Sequence, residues 1–256
     1  MYHLVDRSPW PLYLSLSLFV LAINIVTWFA YIKYSTVGLV LGIILTTMTL
    51  TMWWTDVHIE SSLMGKHTQE VEECRAIGVI IFIISEVSFF MTLFWGFLHS
   101  ALNPSEVLGS SWPPVGIESL DTFGLPFLNL ILLLSSGGFL TYAHEYIIAG
   151  NKQKGFIGLI ITILLGLIFL LLQYVEFKGA PFSICDSVFG SIFFFLSGFH
   201  GLHVFIGLLF LFIALLRIHN FTSQHHIGLL AAIWYYHVVD VIYLFVFSLL
   251  YWWGLS

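Results

Sequence analysis

Residues 156–175 read FIGLIITILLGLIFLLLQYV and contain no charged side chain. At about 1.5 Å of rise per residue, a helix of this length crosses roughly 30 Å, the thickness of a bilayer's hydrocarbon core. The stretch has no polar face to offer water, so lipid or other protein must surround it. Working outward, comparable apolar runs occupy 13–33, 36–55, 76–99, 126–148, 189–216 and 229–253. Backbone groups in lipid must be satisfied internally, and these runs are too long and too uniformly apolar for barrel strands. The expectation is an all-α integral membrane protein with seven transmembrane helices. Composition agrees, with 59% hydrophobic and 9% charged residues against about 25% charged in soluble domains.

The breaks between runs carry turn chemistry. Tyr34 to Thr36 separates the first two spans so tightly that they must form a helical hairpin. Asp56 to Arg75 is the most charged stretch, and 61–75 is expected to be a connecting loop. Asn103-Pro104 and Trp112-Pro113-Pro114 mark turns in the segment from Ser100 to Leu125, and Pro126 suits the first turn of span four. Lys178 to Pro181 breaks the chain after span five. No internal repeat is visible, so 1–256 reads as one membrane domain. The opening MYHLVDRSPW has mixed charge and is interrupted by Pro9 and Pro11, unlike a signal peptide. The first span is therefore expected to be retained.

Orientation follows from Lys and Arg. Arg7, Lys66, Arg75, Lys152, Lys154 and Arg217 fall on the N-terminal side, and only Lys33 and Lys178 on the other. The N-terminus is expected in the cytoplasm or mitochondrial matrix. That polarity opposes a seven-helix receptor, whose N-terminus lies outside. Cys74 and Cys185 are expected on opposite sides, with no disulfide between them. The net charge of −6 and the lack of a basic patch argue against nucleic acid. There is no nucleotide-binding loop, no Cys-X-X-Cys and no Ser-His-Asp order.

Ionisable groups at membrane depth are the informative ones, because each costs from about 2.5 kcal/mol upward. Glu86 lies mid-span in FIISEVSFF, and its helical neighbours Phe82, Ile83, Phe89 and Phe90 include no cation. It is either carried neutral, since low dielectric disfavours charge, or paired across to another helix. It reads equally as a proton relay or as a hydrogen-bonded acid. His200 and His203 in GFHGLHV share one helical face, and His237 and Asp240 in WYYHVVD repeat that spacing. Together the four fit either a metal site, with Asp240 orienting His237, or interhelical polar contacts. Their spacing is diagnostic of no ion, and Ser197 and Gly201 are small residues that let helices approach. His99, His144 and Glu145 end their spans and read as interfacial. The pair His225-His226 reads as a solvated loop. Trp53-Trp54 and Trp252-Trp253 read as interface anchors. Trp54 also has Glu60, His67 and Arg217 near headgroup level on the same side.

These strings resemble a known family. SPWP at 8–11, WW-x-DV at 53–57, FIISE at 82–86, FW-x-F-x-HS at 94–100, WPPVGIE at 112–118 and LN-x-x-LLLSSG at 128–137 are similar to subunit III of aa3-type cytochrome c oxidases. So are QY-x-E at 173–176, GFHGLHV at 198–204, FTS-x-HH-x-G at 221–228 and WYYHVVDV through YWWG at 234–254. The resemblance covers nearly the whole chain in order. It implies a two-helix bundle (1–60), the charged connection (61–75) and a five-helix bundle (76–256), with a V-shaped lipid cleft between the bundles. It implies an accessory subunit of a proton-pumping respiratory oxidase, without a redox centre or metal of its own. Haem a and copper would reside in partner subunits I and II, and supernumerary subunits are expected. Glu86 matches the family's carbodiimide-reactive carboxyl, which pumping does not require. Trp54, Glu60, His67 and Arg217 match positions beside bound phospholipid. His200, His203, His237 and Asp240 become interhelical contacts. Thr55 and Ile59 stand where relatives often carry arginine, Lys66 stands where histidine is common, and the loop between spans six and seven is slightly short. The implied location is the mitochondrial inner membrane, or a bacterial plasma membrane. A stand-alone proton-coupled transporter using Glu86 and Asp240 is the rival class, but repeated halves and broken helices are not evident. A membrane haem or metal protein built on the span-six and span-seven groups is another.

Overall fold

The computed structural model describes residues 7–106, 109–118, 120–222 and 226–254. His225 lies outside them. Among the described residues, seven helices are long and apolar enough to cross a membrane. They are α1 Trp10–Phe29, α2 Ser35–Ser62, α3 Gln69–Leu102, α4 Leu125–Ile148, α5 Lys152–Gly179, α6 Ser187–Leu216 and α7 Ile227–Val246. A short 3₁₀ turn, Ile218–Asn220, follows α6, and α7 continues as a π-helix over Phe247–Trp253. Among the described residues there is no strand. The protein is an all-α multi-pass membrane protein.

The expected charged loop at 61–75 needs correction. α2 runs on to Ser62 and α3 begins at Gln69, leaving only residues 63–68 between them. Charge does not stop a helix that has left the hydrocarbon layer, and Glu and Arg are good helix formers. Glu70 and Glu72 stand in the first turn of α3, where the positive end of the helix dipole favours them. Pro11 and Pro126 lie in the first turns of α1 and α4, where a missing N–H costs nothing.

Close contacts group the chain into a unit ending at Arg75 and a unit beginning at Ala76. In the first, α1 and α2 form a hairpin. Its turn carries Tyr31 and Tyr34 at φ 53° and 70°, left-handed conformations that are uncommon for residues with a Cβ. Gly38 and Gly42 line α2 where it meets α1. A Cβ at Gly42 would lie 2.9 Å from the Cα of Leu21, so this small-x-x-x-small spacing sets the backbone approach. Trp10 Nε1 donates to Asp56 Oδ2 at 2.5 Å across the hairpin. Apolar side chains such as Leu12, Phe19, Ile44 and Met48 are exposed on this unit, a surface suited to lipid or protein rather than water.

In the second unit α4 and α5 pack closely because Gly158 presses on Ala143, where a Cβ would lie 2.8 Å from the Ala143 Cβ. The core behind them is aromatic, with Phe169, Phe189, Phe193, Tyr236, Tyr243 and Tyr251 fully buried. α3 joins this core through rings. Phe90 meets His203, Phe94 meets Phe245 and Phe97 meets Trp112, with ring centroids 4.9, 6.1 and 5.5 Å apart.

Candidate functional site: a buried acid–histidine contact

Glu86 is halfway along α3. Ser85 and Ser88 beside it bond back to the Phe82 and Ile84 carbonyls at 2.6 and 2.8 Å, which removes them as partners. The Glu86 carboxyl instead crosses to α6, where its Oε2 lies 2.6 Å from His203 Nε2. His203 Nδ1 is 2.7 Å from the Phe199 carbonyl. A carbonyl only accepts, so Nδ1 carries the hydrogen. The short contact to Glu86 then holds one proton, either on the carboxyl donating to neutral imidazole or on the imidazolium donating to carboxylate. Both forms are neutral overall, which is how an ionisable pair is tolerated at this depth. Phe89 and Phe90 form part of the wall, with ring centroids 6.1 and 4.9 Å from His203, and Tyr235 stacks at 6.4 Å. The pair can store or pass a proton.

The other intramembrane groups do not join it. His200 is fully buried and its Nε2–H donates to the Val239 carbonyl of α7 at 3.1 Å. His237 turns toward α4, its Nε2 lying 3.4 Å from Thr141 Oγ1. Its Nδ1 is 3.7 Å from Asp240 Oδ2 on its own helix. Asp240 is buried against α4 at Gly137, where a Cβ would come within 2.6 Å of Oδ2. The shared faces read from i, i+3 spacing are present, but the four groups reach three different neighbours. Among the described residues no three His, Cys, Asp or Glu side chains converge as metal ligands would.

A family model described as cytochrome c oxidase subunit III matches residues 1–255. The chain belongs to that family. It is 50% identical over 255 residues to cytochrome c oxidase subunit 3 of Allomyces macrogynus, covering 99% of this chain and 93% of that one. The proteins of the same name from Schizophyllum commune and Cyprinus carpio are 48% and 47% identical, with 98% and 99% of this chain and 95% and 97% of theirs covered. The subunit III motifs meet in space. SPWP touches WW-x-DV through Trp10 and Asp56, and FIISE touches GFHGLHV through Glu86 and His203.

Of the four positions expected beside lipid, Trp54, Glu60 and His67 belong to the first unit and Arg217 to the second. Trp54 is 63% exposed on α2, and Glu60 is in the last turn of that helix. His67 Nδ1 accepts from Arg75 Nη1 at 2.7 Å, so neutral His67 carries its hydrogen on Nε2. Arg75 was read from the sequence only as a charge that sets orientation, not as a partner of His67. Its position eight residues after His67, on a helix not expected there, hid it. Arg217 caps α6, with its guanidinium 5.9 Å from the centre of the Phe221 ring. Partial burial lowers its pKa from the ordinary arginine range. Gln173 and Glu176 entered the sequence reading only as the ends of the QY-x-E string, with no site role, and both are buried in α5. Their i, i+3 spacing near the end of an apolar span was the available signal.

Proposed function

We propose that the chain is the accessory core subunit of a respiratory terminal oxidase that reduces oxygen to water and pumps protons. The observation that carries this is the family match along the full length, with relatives that bear the name cytochrome c oxidase subunit 3. In this reading it is a non-redox part of complex IV. Haem a and copper belong to subunits I and II, beside which it packs. His200 and His203 each commit one ring nitrogen to a main-chain carbonyl, which supports a packing role over ligation. The complex lies in the mitochondrial inner membrane with the N-terminus in the matrix, as the bias of Lys and Arg favours.

Trp54, Glu60, His67 and Arg217 hold phospholipid. The bound lipid and the subunit together support subunit I and its proton uptake. The Glu86–His203 contact keeps an exchangeable proton in the bundle without being required for pumping.

The test is a reduced-minus-oxidised visible spectrum. The complex is isolated through this chain in mild detergent, the chain is then stripped away, and both fractions are measured. Haem a absorbance is expected with the partners, leaving this chain colourless. Colour that travels with this chain would make His200, His203 and His237 ligands again. No haem in the starting complex would overturn the oxidase reading.

A further inference from the structure

A second polar group of residues lies in the five-helix unit, away from Glu86. α4 opens and α5 and α7 close at the same end of the unit, so Asn129, Gln173, Glu176 and Tyr251 all lie within about two turns of that end. All are buried, with Asn129 and Tyr251 at 0% exposure and Gln173 and Glu176 at 4%. The Tyr251 hydroxyl faces the side chains of Gln173 and Glu176. Tyr243 comes from deeper in α7, and its hydroxyl reaches the Pro126 carbonyl at 3.3 Å and faces Asn129. Yet no approach between these side chains meets hydrogen-bond distance and angle, and both amide atoms of Asn129, both amide atoms of Gln173, both carboxyl oxygens of Glu176 and the Tyr251 hydroxyl are left without a well-formed direct bond. Buried polar atoms are seldom left so.

We infer that these side chains form an internal water-binding site, in which ordered water bridges Glu176, Gln173, Asn129 and Tyr251. The chemistry of the orphaned atoms selects the ligand. The set contains donors, the two amide nitrogens, and acceptors, the carboxyl and amide oxygens. Exchanging the amide oxygen and nitrogen leaves this mixture unchanged, because both atoms of each amide are orphaned. A metal cation would satisfy the oxygens and be repelled by the amide N–H groups. A lipid chain would satisfy neither. Water both donates and accepts, and a buried water makes about three hydrogen bonds, so one molecule can serve several of the orphaned atoms at once.

The surrounding structure fixes the site. Tyr251 is carried on the π-helix, a rare geometry that is frequent at functional sites. Thr122 Oγ1 donates to the Tyr251 carbonyl at 3.0 Å. Gly254 follows, where a Cβ would lie 2.6 Å from both the Leu250 carbonyl and the Phe97 ring. The aromatic wall is formed by Phe193, 5.6 Å from Tyr251, and Phe169, 5.0 Å from Tyr243, measured between ring centroids.

The experiment is electron cryo-microscopy of the assembly purified through this chain, with whatever partners it carries, at a resolution that shows ordered water. Discrete density is expected within hydrogen-bond distance of Glu176, Gln173 and Asn129. It should persist in Glu176→Gln, which keeps an acceptor oxygen of the same reach and adds an amide donor that water can also meet, and vanish in Glu176→Met. Glu176 bonded directly to Tyr251 and Gln173 with no density between them would overturn the site. So would a single peak ringed only by oxygens at cation distances. Should Glu176→Met fail to assemble, the wild-type and Glu176→Gln maps still decide.

Discussion

Glu86 and His203 share one proton across the contact between α3 and α6. The 2.6 Å separation and the hydrogen held on Nδ1 by the Phe199 carbonyl place a single hydrogen between Oε2 and Nε2. Neither residue could be replaced by an apolar one without stranding the other. Their side chains are 25% and 10% exposed, so solvent offers a stranded partner little compensation.

A double-mutant cycle reads this directly. Glu86→Leu alone is expected to destabilise the purified complex by about 1–3 kcal/mol, the cost of an unsatisfied buried group. Glu86→Leu with His203→Phe should recover most of that loss. Glu86→Gln keeps a donor toward Nε2, so assembly and oxygen consumption should stay near wild type. Thermal unfolding and oxygen-electrode rates are the measurements. Additive single-mutant losses would remove the coupling, and loss of oxygen consumption in a well-assembled Glu86→Gln complex would contradict the proposed role.

The hairpin of the first unit depends on Gly42. Its missing Cβ lets α2 approach the main chain of Leu21, which cannot rotate away as a side-chain tip could. Gly42→Ala is expected to lower stability by about 1–3 kcal/mol through overpacking. Gly78→Ala is the control. Nothing lies within 4 Å of the position its Cβ would take, so the change should be neutral or stabilising by about 0.4–1 kcal/mol. Equal melting midpoints for the two variants would discount the close approach.

These residues also show what was legible in the chain. The seven spans follow from apolar length alone, since a bilayer requires it of any sequence. Glu86 stood out for the same reason, as a charge where lipid penalises one. His203 was placed beside His200 by helical spacing, but spacing describes one helix and cannot say that His203 faces α3 while His200 faces α7. Asp240 was grouped with the histidines, although Gly137 on α4 receives its carboxylate. The ends of α2 and α3 were misread because hydropathy stops at the membrane surface, whereas the hydrogen-bonded ladder continues into water.

Acid should loosen one loop in particular. Asp186 accepts from the Ser183 backbone N–H at 2.7 Å and from its hydroxyl at 2.9 Å. The backbone bond first, and then the hydroxyl, holds its pKa below the ordinary aspartate value. A depressed carboxylate contributes stability above its unfolded pKa and loses it as pH falls through its folded pKa. Proteolysis between Ala180 and Ser187 should therefore accelerate as pH drops below about 4. Asp186→Asn should show no such acid step and cut at one rate throughout. An identical acid step in that variant would assign the loosening to another group.

Trp54 and Arg217 give the sharpest test of lipid binding. Trp54 is 63% exposed, so truncating it removes little internal packing, and its loss should register in what the surface holds. Arg217 carries a cation at the end of α6, suited to an anionic phosphate. Trp54→Ala with Arg217→Ala is expected to lower the phospholipid that co-purifies with the complex, counted by native mass spectrometry. Trp252→Ala is the matched control. That indole is 60% exposed and is expected to act as an ordinary interface anchor, so its removal should leave the count unchanged. If the double variant retains its lipid, the headgroup assignment fails while the fold stands. If Trp252→Ala loses as much, the effect belongs to aromatic anchoring in general and not to this set of residues.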